Sequence, residues 1–241
     1  MKNQVFQFKE FEVKHARSAM KIGTDAVLLG AWATGNHPVN SILDIGAGTG
    51  ILALQLAQRF SAETIDAVEL DPDAFEECVE NFENSPWSDR LYCYHASFTE
   101  FYSEIEEKYD LIVSNPPFFT EPPKLEISNV SREKARFQEH LGFEELLQGV
   151  SVLLSEKGEF SVVLPFSEQE KFISIANKYQ LYISEILNVR GQPTSPIKRT
   201  MLKFRRNETQ NISTKELTIE HSRHDYTQDY IDLVKDFYLK M

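Results

Sequence analysis

From Ser41 onward the chain alternates short apolar runs with stretches in which apolar residues recur every three or four positions. Runs of the first kind read as buried strands, and stretches of the second kind as helices with one packed face. SILDI, TIDAVEL, LYCYHA, KYDLIVS and EFSVVLP predict five strands. Between them, Ile51 to Phe60, Pro72 to about Glu83, and Phe143 to Leu154 predict helices, the last stopped by Gly158. Pro72 suits a first helical turn, where its missing N–H has no bond to make, and Asp71 before it reads as the cap. SEQEKFISIANKY predicts one more helix. LYISEILNVR and KRTMLKFRR, joined by GQPTSP, predict a long antiparallel hairpin at a sheet edge. The tail adds a weak strand, ELTIE, and an amphipathic helix over Tyr226 to Tyr238.

Ahead of this unit, Val5, Phe6, Phe8, Phe11 and Val13 are interleaved with polar residues as one or two short edge strands, and Thr24 to Trp32 reads as a helix. Residues 120–140 are polar and irregular, a loop or short helix. Strand and helix in alternation, with a late antiparallel strand, predict a doubly wound α/β sheet whose ligands lie at the carboxyl ends of its strands.

A chain of 241 residues, 41% of them hydrophobic, closes one large core with a small extension. The division expected is an N-terminal extension over residues 1–40 and a main domain over residues 41–241. The apolar runs fall far short of the roughly 20 residues that cross a bilayer. The opening MKNQVFQFKEFEVKH has no apolar segment of the kind a signal peptide carries, so a soluble, cytoplasmic protein is expected. Cys78 and Cys93 lack any CxxC or Cys/His cluster, and the six histidines form no ligand spacing with carboxylates, so no metal site is expected.

The formal charge of -12 argues against indiscriminate coating of nucleic acid. Charge is nevertheless segregated along the chain. Ile186 to Asn207 carries Arg190, Lys198, Arg199, Lys203, Arg205 and Arg206 without an acidic residue, whereas Glu76, Glu77, Glu80 and Glu83 read as a solvated helix face. A local basic surface for RNA is therefore available.

Two motifs carry chemistry. Asp44-Ile-Gly46-Ala-Gly48-Thr-Gly50 follows the first main strand and opens a helix, so its backbone N–H groups face a ligand that small residues let approach. NAD-binding enzymes use a similar turn. Asp44, however, would repel a pyrophosphate and suits a ligand with a cationic amino acid portion. Glu69, ending the second strand, can accept two ribose hydroxyls. The second motif, Ser114-Asn115-Pro116-Pro117-Phe118, ends the fourth strand. Its prolines remove two N–H groups and leave carbonyls that accept. The Asn115 side-chain oxygen and the Pro116 carbonyl can hold the two hydrogens of an adenine amino group, and Phe118 can stack on the ring.

With these motifs the chain resembles the class I, Rossmann-like methyltransferases of the amino-methylating group. More closely, it is similar to the bacterial tRNA adenine-N6 methyltransferase family acting just 3′ of the anticodon of a valine tRNA. The resemblance runs through Phe8-Lys9, Phe11, Ala19 to Asp25, Leu28 to Trp32, Asp44 to Gly50, Asp66 to Leu70, Asn84 to Trp87, Ser114 to Phe118, Val162 to Pro165 and Phe237 to Leu239. It implies a mostly parallel seven-stranded sheet with an antiparallel edge hairpin, and S-adenosyl-L-methionine as cofactor.

Cofactor contacts implied are Asp44, Gly46, Gly48, Gly50, Glu69, Leu70, Ala96, Ser97 and Asn115, with Lys21, Gly23 and Thr24 in the N-terminal extension covering the methionine end. Ala96-Ser97 stands where the family often has an Asp beside the cofactor adenine. Catalysis falls to Asn115, Pro116, Pro117 and Phe118. Contact with the anticodon region of the tRNA falls to Arg190, Lys198, Arg199, Lys203 and the 119–140 loop, on a monomer.

Competing readings differ in what they require. Methylation of a protein glutamine amide would bring an additional helical domain before the sheet, and methylation of DNA an added recognition domain. An NAD-dependent oxidoreductase leaves Asp44 and the proline corner unexplained, and a catalytically dead RNA-binding module has no need of Asp44, Glu69 and Asn115 together.

Overall fold

The computed structural model describes residues 5–18, 22–35, 37–117, 141–208 and 210–241. The N-terminal stretch read as one or two short strands holds two, β1 (Val5–Gln7) and β2 (Glu12–Lys14), paired as an antiparallel hairpin, and α1 spans Thr24–Trp32. The alternation then runs β3 (Ser41–Ile45), α2 (Ile51–Arg59), β4 (Thr64–Glu69), α3 (Pro72–Glu83), β5 (Leu91–His95), α4 (Phe98–Glu104), β6 (Tyr109–Ser114), α5 (Phe143–Leu153), β7 (Leu154–Pro165) and α6 (Gln169–Lys178). It closes with β8 (Tyr182–Arg190), β9 (Arg199–Arg205), β10 (Ser213–Thr218), β11 (Glu220–Ser222), β12 (Asp225–Tyr226) and α7 (Gln228–Val234).

The main sheet among the described residues has eight strands in the order β10-β8-β9-β7-β6-β3-β4-β5. All neighbours are parallel except β9, which is antiparallel to both β7 and β8. The fold is therefore the doubly wound α/β one predicted, with one strand more than the seven expected. The extra strand is β10, the stretch read as weak, which pairs in parallel with β8 from Ser213↔Glu185 to Thr218↔Arg190. It covers β8, so the hairpin β8–β9 lies inside the sheet and not at its edge.

Two further boundaries differ from expectation. Helix α4 is capped by a reciprocal box in which the Ser97 hydroxyl accepts from Glu100 N at 3.2 Å while the Glu100 carboxylate accepts from Ser97 N at 3.0 Å. Gly158 does not end a helix: β7 begins directly at Leu154, and a Cβ at Gly158 would sit 2.8 Å from the Tyr109 carbonyl. That close approach, beside a register shift between Tyr109 and Leu111, is what requires glycine.

Period-two alternation sorts side chains to the two faces of the sheet. Ile42, Leu111 and Val113 join the cluster under α1 and α2, with Val27, Leu29, Leu54 and Leu56. Leu43, Ile45 and Ile112 join the opposite one, with Leu147, Phe160, Phe172 and Phe204. The N-terminal hairpin shares the first of these cores through buried Phe8, Phe11 and Val13. Phe8 bridges to Tyr238, and Lys9 N donates to the Phe237 carbonyl at 2.9 Å, which fastens the two chain ends together. Trp87 packs edge-on against Phe11 at 5.8 Å. Everything placed at the carboxyl ends of β3, β4 and β6 thus rests on strands packed on both faces, while β5 forms the exposed edge of the sheet.

Candidate active site

Gly46, Glu69, Ala96 and Asn115 lie at the carboxyl ends of β3, β4, β5 and β6, which are adjacent in the order β6-β3-β4-β5. Three strand spacings of about 4.8 Å separate the two extremes, so these residues form one continuous row. The glycine turn occupies its middle. Gly48 (φ +57) and Gly50 (φ +77) are both left-handed, and they serve different ends. A Cβ on Gly48, or on Gly46 beside it, would meet nothing within 4 Å, so both border open space. A Cβ on Gly50 would meet Phe82 Cε1 at 2.5 Å and Cys78 Sγ at 2.8 Å, so this glycine exists to let α2 pack on α3.

Glu69 braces the turn. Its carboxylate accepts from Gly48 N at 2.7 Å through one oxygen and from Asp71 N at 2.8 Å through the other. Each oxygen uses one of its two lone-pair sites, which leaves acceptor capacity for a ligand. Asp71 caps α3 by accepting from Ala74 N at 2.8 Å, as its sequence position predicts. Leu70, the next residue, is 41% exposed although it is apolar.

Asp44 is fully buried at the end of β3. One carboxylate oxygen accepts from Ala53 N at 3.2 Å, and the other is buried with no hydrogen-bond partner. Burial pushes this carboxyl up to about 7, an effect that Ala53 N–H opposes and the nearby Glu69 charge reinforces. Among the described residues no donor reaches this oxygen, which leaves it open to a ligand. The side-chain Oδ1 of Asn115 is likewise buried without a partner. Ser114 before it donates to the Ile45 carbonyl at 2.9 Å and fixes the end of β6 against β3. Pro116 is buried and Pro117 exposed. Phe118, Lys21 and the 119–140 loop lie outside the described residues. Ser97, expected beside the cofactor, has its hydroxyl engaged in the α4 cap, where it also donates to Glu100 Oε2 at 2.7 Å.

Gly23 and Thr24 open α1 with Gly23 as the cap residue. How their segment is held went unpredicted. Glu77, read as solvated, is 2% exposed, and its carboxylate accepts from the N–H groups of Ala16 at 2.5 Å, Arg17 at 2.9 Å and Ser18 at 2.8 Å. Asn81, one turn on, takes Lys14 N at 2.9 Å and donates to the carbonyls of Lys14 at 3.0 Å and Thr49 at 2.9 Å. Together they tie the N-terminal segment to the glycine turn. The spacing held the signal: Ala74, Glu77, Cys78, Asn81 and Phe82 recur on one helical face, and all five are buried.

The Methyltransferase small domain family matches residues 16–165 of this chain. A tRNA1(Val) (adenine(37)-N6)-methyltransferase from Flavobacterium johnsoniae is 55% identical over 237 residues, which cover 98% of this chain and 100% of the relative. The chain belongs to the tRNA1(Val) (adenine(37)-N6)-methyltransferase family. The relative of that name from Bacteroides fragilis is 45% identical over 245 residues and covers 100% of both chains. The fold is also that of a solved "predicted O-methyltransferase" from Agrobacterium tumefaciens, with TM-score 0.67 at 20% identity over 88% of this chain and 96% of the other.

For a member of this adenine-N6 methyltransferase family, the disposition of the basic hairpin bears directly on RNA. β7 and β8 run the same way and β9 runs against both, so Arg190, Lys198 and Arg199 lie at the carboxyl edge with the glycine turn. The remaining cations of the run do not. Lys203, expected to touch tRNA, is 1% exposed, with its ammonium 2.8 Å from Thr34 Oγ1, 3.5 Å from Glu185 and 5.0 Å from the centre of the Trp32 ring. A group so enclosed is a core cation and reaches no phosphate. Arg205 pairs with buried Glu159 at 2.6 Å, and Arg206 donates to the carbonyls of Ser151 at 2.6 Å and Leu154 at 2.7 Å.

Proposed function

We propose that this chain methylates N6 of adenosine 37 in a valine tRNA, with S-adenosyl-L-methionine as methyl donor, acting as a cytoplasmic monomer. The single observation that carries the reading is the buried, unpartnered Oδ1 of Asn115 at the end of β6, in the same row as the glycine turn. The donor set suits the cofactor: open space over Gly46 and Gly48, the free acceptor capacity of Glu69, and the unpartnered oxygen of Asp44.

S-adenosylmethionine, when bound, supplies an electrophilic methyl group on a sulfonium sulfur. Gly46 and Gly48 would admit it close to the backbone, Glu69 would accept from its ribose hydroxyls, and Asp44 would hold its cationic amino acid end. Gly23 and Thr24, with Lys21, in the extension formed by residues 1–40, are the residues that would hold that end. Leu70 and Ala96 border the adenine of the cofactor.

Asn115 then acts on the acceptor. The lone pair of an adenine amino nitrogen is delocalised into the ring, so the group is a weak nucleophile until its hydrogens are held. Asn115 Oδ1 takes one hydrogen and the Pro116 carbonyl the other, which orients the nitrogen, and Phe118 stacks on the ring. No strong base is needed, because the proton can leave during or after transfer. Arg190, Lys198, Arg199 and the 119–140 loop hold the tRNA. Offering labelled cofactor with RNA, DNA or protein in separate reactions tests the reading: label enters RNA as N6-methyladenosine, and label in protein glutamine or DNA alone would refute it.

A further inference from the structure

Phe166 stands at the carboxyl edge, directly after β7, and is not among the buried or partly buried members of either hydrophobic cluster of the described residues. It is 39% exposed, where an aromatic of this size is ordinarily covered. Tyr92 and Tyr94, also exposed, belong to the outermost strand β5, whereas Phe166 follows β7, the neighbour of β6. Ser114 is paired with Val162, so Phe166 lies three residues past the level of Asn115, about 10 Å further along and one strand over.

Its mount is stiff. Pro165 precedes it as the cap of a 3-10 turn over Phe166–Glu168, and Pro165 is in register with Arg199. Phe166 N donates to the Lys198 carbonyl at 3.1 Å. Two residues on, Thr200 Oγ1 donates to Gln169 Oε1 at 2.8 Å and locks β9 to the start of α6. Lys198, whose side chain is exposed, and Arg199, whose guanidinium is part-exposed, are thus paired through the backbone with Phe166, which carries the exposed ring, and with Pro165 before it. Arg199 is itself oriented by Asp25 Oδ2 at 2.7 Å.

We infer that Phe166 is a stacking platform for a nucleobase flanking the target adenosine, with Lys198 and Arg199 at the adjoining phosphates. This rests on the RNA reading above. A loop nucleotide has an exposed π-face that any aromatic can take up regardless of sequence, and a pre-positioned ring loses little freedom on binding. Cations beside the ring match a strand whose bases and phosphates lie side by side.

The test compares wild type, Phe166→Leu and Phe166→Trp, using an unmodified valine tRNA transcript as probe. Phe166→Leu keeps an apolar side chain without a π-face, so it should raise the transcript Kd and KM on the order of ten-fold, and Phe166→Trp should stay within about three-fold of wild type. Cofactor Kd, kcat at saturating RNA, and melting temperature should be unchanged in both. Equal RNA binding by wild type and Phe166→Leu, or a failure of Phe166→Trp to retain affinity, overturns the platform while wild-type methylation leaves the RNA reading intact. A wild-type protein that neither binds nor methylates the transcript overturns the RNA reading, and the platform with it.

Discussion

Glu77 accepts the N–H of Ser18 at 2.8 Å, so a carboxylate in the middle of α3 holds the segment that leads into the N-terminal side of the site. Burial works to raise this carboxyl, but N–H groups of Arg17, Ser18 and Ala16 outweigh it and hold the group below its usual range. A carboxyl with a depressed folded value contributes stability above its unfolded value and loses it as pH falls through the folded one. Glu77→Gln should therefore cost about 2 kcal/mol at pH 7, and the difference from wild type should shrink below about pH 4. Urea unfolding at both pH values measures it.

Asp44 has the opposite sign. Its folded value is raised to about 7, so the cofactor-free protein loses stability as pH climbs from about 4 to about 7 and stays at the lower level above that. Asp44→Asn removes the ionisation. Without cofactor, the variant should match wild type near pH 4 and exceed it above pH 7, by up to about 4 kcal/mol. Parallel stability profiles for the two proteins would show that Asp44 is not the group that titrates.

The glycine turn separates packing from ligand access. Gly50→Ala places a methyl 2.5 Å from the Phe82 ring at φ +77 and should cost more than about 2 kcal/mol, seen as a large fall in melting temperature. Gly48→Ala strains only its own backbone, about 1 kcal/mol, and puts its methyl into open space. Calorimetric titration should show that this milder change is the one that weakens S-adenosylmethionine binding in a folded protein.

Asn115→Ala should lower turnover roughly 100- to 1000-fold, the scale set by losing one aligned polar partner of a reacting group. Cofactor affinity should stay within about three-fold. A variant that loses cofactor binding and turnover together would assign Asn115 to the cofactor and leave the acceptor without its anchor.

The alternation from Ser41 onward was enough to predict the doubly wound fold, because the central strands β3, β4 and β6 are buried along nearly their whole length and helices such as α3 show one packed stripe. The glycine turn, Glu69 and the Asn115 corner were legible for a related reason: strand ends bring them together whatever the helices do. What escaped depended on partners distant in sequence. Lys203 belongs to an unbroken basic run, and only pairing of β9 with β7 and β8 shows that Glu159 and Glu185 flank it. Gly158 looked like a helix stop until the Tyr109 carbonyl was seen against it. Helix α4 was a different kind of miss, since Ser97-x-x-Glu100 spells a capping box in the sequence itself.

The central claim is methylation of one base at one position. It is tested most directly by labelled methyl transfer to two valine tRNA transcripts that differ only in adenosine or guanosine at position 37, followed by nucleoside digestion. The account predicts label in N6-methyladenosine from the adenosine transcript and none from the other; equal labelling of both transcripts, or label in any other nucleoside, would contradict it.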